Sequence, residues 1–141
     1  MPILILYLVT LATFLILDGI MLFLVLVPAF QSAIGPFLAA QPAWLPAVLF
    51  YLLYPMATIA LASAPALRQG GNAWPRGAIL GAAAYGTYEL TNWSILAGYP
   101  AWLALTDWAW GTVLTAIAAE VGLALARRFG QSGAAETRGM R

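Results

Sequence analysis

The chain has 141 residues, of which 63% are hydrophobic and 8% charged, with a formal net charge of +1. A soluble domain carries roughly 25% charged residues, and so few cannot cover a water-exposed surface; the apolar excess must face lipid. The absence of Cys and His excludes disulfides, thiolate nucleophiles, iron–sulfur ligation and the usual zinc and haem ligands, and no basic stripe offers a footing for nucleic acid.

The expected fold is all-α: a bundle of four transmembrane helices spanning one domain, about residues 1–126, with a basic, flexible tail over 127–141. The first apolar stretch covers about 3–28. It lacks a basic leader and a cleavage site, and so reads as a retained helix rather than a signal peptide. A connection without charge, containing Gly35, Pro36 and Pro42, leads to a second helix at about 44–66. Pro55 lies inside that helix and frees the carbonyl of Tyr51, either as a simple kink or as an oxygen lining a polar pocket.

The second connection holds Arg68 and Arg76 around Gly70 and Gly71, and a third helix follows at about 77–97. A tight turn around Pro100 leads to a fourth helix at about 102–126. Each stretch matches the roughly 20 residues needed to cross the hydrocarbon core. All arginines fall in the second connection or the tail, so an even number of spans places both ends and that connection in the cytoplasm. Pro42-Ala43-Trp44-Leu45 and Pro100-Ala101-Trp102-Leu103 open the second and fourth helices alike, as Pro suits a first helical turn and Trp an interface.

Four acids fall inside the spans: Asp18, Glu89, Asp107 and Glu120. An intramembrane carboxylate costs roughly 2.5–3.5 kcal/mol and is a functional suspect for that reason. Asp18, Glu89 and Asp107 share the outer half of the membrane, away from every arginine. Three states are open to them: neutral hydrogen-bond donors joining helices, a shared proton, or a bound cation. On the third helix Gly77, Gly81, Tyr85, Tyr88, Glu89 and Asn92 fall on one face, and on the fourth Asp107, Gly111, Thr115, Ala118 and Gly122 do so. The two stripes are expected to meet. Asp18, Tyr85, Tyr88, Glu89, Asn92 and Asp107 form the candidate polar cluster, a ligand or proton site. Tyr51, Tyr54, Thr58 and Ala62 give the second helix a matching face. Glu120 is read separately, as a group that pairs with Arg127 near the interface or snorkels toward it. Trp44, Trp74 and Trp102 suit interfacial belts. Trp93, Trp108 and Trp110 bracket the acids and are candidates for contact with a partner or a ring-shaped ligand.

Tyr88-Glu89-Leu90-Thr91-Asn92, followed by Asp107-Trp108-Ala109-Trp110-Gly111-Thr112, resembles the bacterial four-helix family known as domain of unknown function 2177. Its third helix typically reads Tyr-Asp-Leu-Thr-Asn and its fourth Asp-x-x-Trp-Gly-Thr. Leu17-Asp18 and Leu49-Phe50-Tyr51-Leu52-Leu53-Tyr54 also fit, so the resemblance covers the chain. Glu89 stands where Asp is usual. The resemblance implies the fold and a bacterial inner-membrane location, but no reaction.

Three function classes remain. The first is a non-enzymatic accessory or assembly subunit packed against a larger membrane complex, photosynthetic or respiratory, or against copies of itself, beside lipid or a quinone. No catalytic constellation, metal site or cofactor is expected under it. The second is a proton- or cation-coupled transporter using Asp18, Glu89 and Asp107, and the third a lipid-modifying enzyme using the same acids.

Overall fold

The computed structural model describes residues 2–139, with side chains from 3 to 129. Four helical rods run along the chain, joined by the short connections 38–43, 70–73 and 96–100. Connections of that length make successive helices antiparallel neighbours. No strand occurs among the described residues.

The first helix is longer than its apolar run suggested. An α-helix over Pro2–Met21 passes through a π turn at Leu22–Leu26 and returns to α geometry over Val27–Ile34, and a 3-10 turn at Gly35–Phe37 ends it. The second runs α over Trp44–Thr58, π over Ile59–Ser63 and α over Ala64–Gln69. Each π turn lies just before an internal proline, Pro28 or Pro65. A proline ring crowds the carbonyl four residues back, and a wider turn there accommodates it. Pro55, by contrast, sits buried within regular helix.

The third helix covers Trp74–Ile95 and the fourth Ala101–Gly139. The fourth was expected to stop near 126. Its first turns beyond that point carry Arg127, Arg128 and Phe129, so the basic segment begins as helix; side chains beyond Phe129 lie outside the described residues, and with them the expectation of a flexible tail.

Three helices, Ile3–Phe37, Trp44–Gln69 and Ala101–Phe129, are long and apolar enough to cross a membrane. The third is less apolar, because its sequence is rich in Gly, Tyr, Thr and Asn. Its 22 residues still span about 33 Å at 1.5 Å per residue. The polar positions are tolerable in lipid because much of this helix packs on the fourth.

The fourth helix is the centre of the bundle. Half of its apolar window is buried, against 17% for the first helix and 22% for the second. Lipid supplies no hydrophobic drive between helices, so close backbone approach has to hold them together. Gly77 and Gly81 provide it. A Cβ on Gly81 would lie 2.6 Å from the Gly111 carbonyl oxygen, and one on Gly77 would lie 2.9 Å from that of Thr115. Gly122 faces Thr10 and Leu6 of the first helix, not the third helix as its stripe suggested.

The ends of the middle helices are tied down by the fourth. Glu120 Oε2 accepts the backbone N–H groups of Ala73, at 2.6 Å, and Trp74, at 3.0 Å, and so caps the start of the third helix. Arg127 donates to the carbonyls of Ala66, at 3.0 Å, and Gly71, at 2.6 Å, and so caps the end of the second. Pairing with each other was one expectation for these two side chains, and snorkelling to the interface the other. Each instead meets the orphan backbone groups of a helix terminus, which lie nearer and match its charge.

Candidate functional site

All four helices contribute to one polar region in the half of the bundle remote from Arg68, Arg76 and Arg127. Asp18, from the first helix, is 5% exposed. Its carboxylate accepts the Tyr51 hydroxyl of the second helix at 2.6 Å and the Trp110 indole N–H of the fourth at 3.3 Å. Tyr51 thus reaches the site through its phenol.

Glu89, on the third helix, is fully buried. Its Oε2 accepts the Tyr99 hydroxyl at 2.8 Å, while Oε1 finds no donor among the described residues. Asp107, on the fourth helix, is 6% exposed and lies within hydrogen-bonding reach of Glu89. Two carboxylates cannot bond one another directly. A proton between them, or a cation beside them, is needed to join the pair.

The overhanging end of the first helix closes one side. Leu26 and Ile34 pack with Tyr99, Leu103 and Ala104, backed by Phe30. Tyr99 lies in the connection after the third helix, outside the spans. Burial, and then its hydrogen bond to Glu89, hold its phenol well above the usual tyrosine range.

A cavity of about 210 Å³ opens between the four helices. Its polar walls are Asp18, Asp107, Tyr51, Tyr85 and Tyr88; Leu22, Leu26, Phe30 and Phe50 supply the rest. The π turn at Leu22–Leu26 places these two leucines about one and two turns beyond Asp18. Phe50 stacks on Tyr54 with ring centroids 5.3 Å apart, and Tyr54 meets Tyr85 edge-on at 5.9 Å. Tyr54 and Thr115 share a hydrogen bond of 3.1 Å. Gly111 gives Tyr85 its place, since the ring occupies the space a Cβ would need.

The structure therefore brings Asp18, Tyr85, Glu89 and Asp107 together, with Tyr88 at the rim, 56% exposed. Asn92 is half-buried and takes no part in the hydrogen bonds of the acids. The three tryptophans separate. Trp108 lies over Gly86 and donates to the Ala82 carbonyl at 2.8 Å, which makes it a tie within the bundle. Trp110 turns inward to Asp18, and Trp93 alone of the three is exposed. Sequence reasoning missed Tyr99, Phe30 and Phe50, and placed Tyr51 on a helix face without giving it a role. Tyr51 and Tyr54 on one face were a usable signal for the second helix; a tyrosine inside a turn was none.

No group of residues suited to a metal ion occurs among the described residues. A family model described as "Predicted membrane protein (DUF2177)" matches residues 3–124. No curated protein and no solved structure matches the chain.

Proposed function

We propose, from the premise that the chain belongs to the DUF2177 family of predicted membrane proteins, that it is a membrane-embedded, non-enzymatic protein handling a proton or cation at Asp18, Glu89 and Asp107. One observation carries this reading. Two buried carboxyl groups, Asp18 and Asp107, line one cavity, the buried Glu89 lies beside Asp107, and among the described residues no arginine lines that cavity. Such groups are costly in lipid and mark ion or proton pathways.

The test is direct. Purified protein in proteoliposomes with an internal pH dye should show proton or cation flux, or cation-dependent proton release in detergent. Asp107→Asn should abolish it while leaving the protein folded. Equal responses from wild type and Asp107→Asn would remove the reading.

Association with a larger membrane assembly is the second reading. It is favoured by Trp93, an exposed indole on the third helix. An accessory subunit beside lipid or a quinone would use that ring for contact, and the inward-turned Trp108 and Trp110 would not be available to it.

A further inference from the structure

The cavity is more particular than a generic cation site. Among the described residues no arginine and no other positive group lines it, so it does not favour an anion. Asp107 lines it, is more than nine-tenths buried, and has no hydrogen-bond partner other than Glu89 among the described residues. Its polar neighbour is the Glu89 carboxyl, which is fully buried and does not itself line the cavity. Asp18 differs, being supplied by Tyr51 and Trp110. The unmet demand is therefore for hydrogen-bond donors with positive charge, next to Asp107.

Size and walls narrow the occupant. About 210 Å³ is far more than the roughly 10–15 Å³ that a single water requires, and so much more than a bare inorganic ion would fill. Phe30, Phe50, Tyr85 and Tyr88 line it, and aromatic faces attract a cation that carries its own apolar groups.

Resting on the cation reading above, we infer that the cavity binds an alkylammonium ion, a protonated primary amine with a short apolar chain. Its N–H groups meet Asp107, and its chain lies against Phe50 and the leucines of the π turn. A primary ammonium brings three donors, which suits a carboxyl group that no phenol or indole supplies. A quaternary ion brings none.

Isothermal titration of the detergent-purified full chain with butylammonium tests this, with 1-butanol, tetramethylammonium and sodium as comparators. Butylammonium should bind and the other three should not compete at equal concentration. Phe50→Leu keeps an apolar side chain but removes the ring, and should weaken binding about two- to thirtyfold, the span of a cation–π contact. Asp107→Asn should weaken it at least tenfold. Phe23→Leu, on the exposed face of the first helix, should leave it unchanged and serves as the folding control. Binding of 1-butanol as tight as that of butylammonium would overturn the inference, and so would an unaltered Phe50→Leu. Displacement by sodium would make the site one for inorganic cations, overturning the ligand class. Asp107-dependent proton release without butylammonium binding would sink this inference and leave the cation reading standing. Absence of both would end both.

Discussion

Asp18 and Asp107 meet the same lipid surroundings with different support. Asp18 has a phenol and an indole as donors, while Asp107 faces another acid. Asp107→Asn should therefore be tolerated structurally, because an amide can donate to Glu89 and accept; thermal melting in detergent should move little. Asp107→Leu leaves Glu89 buried without that neighbour and should cost about 1–3 kcal/mol. A leucine variant as stable as the amide would show that the pair contributes nothing to folding. Tyr99 gives a prediction with a definite sign. Its phenol is held neutral in the folded chain, so its contribution is fully present below the unfolded value near 10 and is lost as pH rises through the folded one. Tyr99→Phe should cost about 0.5–1.5 kcal/mol at neutral pH, and should show a shallower loss of stability than wild type above about pH 10. Parallel melting curves of the two proteins between pH 9 and 11 check this.

At the scale of elements, small residues set distances and charged ones set ends. Gly81→Leu would drive a side chain into the backbone of Gly111 and Thr112. The third and fourth helices would have to separate, spoiling the Glu89–Asp107 contact one and two turns further along. The expected outcome is lost expression or a loosened bundle, read as increased protease sensitivity in detergent; Gly19→Leu, which meets open space, is the matched control. Glu120→Ala removes the acceptor for two backbone N–H groups at the start of the third helix and should cost about 0.5–2 kcal/mol, as other lost helix caps do. Hydrogen exchange at Ala73 and Trp74 should rise in that variant ahead of the rest of the helix.

For the whole molecule, the distribution of arginines predicts orientation. A reporter inserted near Gly70 should read cytoplasmic and one in the 38–43 connection external, since the positive connections stay inside. A cytoplasmic result at 38–43 would break the even-span arrangement. Mild detergent extraction, with the native mass read on a sizing column, separates a free bundle from a subunit of a larger assembly. The cation reading expects the purified chain to respond to cations without other proteins.

The membrane class, the helical fold and the approximate positions of the helices are determined by the sequence alone. Hydropathy and helix length are local quantities, and lipid leaves a chain little choice but to satisfy its backbone within each segment. The acids announced themselves for the same reason, since a carboxylate in an apolar run is conspicuous wherever it points. What surrounds them was decided only in three dimensions. Glu120 and Arg127, two turns apart on one helix, look like partners in sequence, yet each lies nearer to a helix end of another segment. Gly122 shares a stripe with Gly111 but meets the first helix, because the fourth is packed on several sides. Tyr99 closes over Glu89 because a turn brings it there, and Phe30 reaches the cavity because the π turn and Pro28 carry the first helix past its expected end. Partnership across helices depends on rotation, crossing and overhang, and these are settled by the packing of all four rods at once.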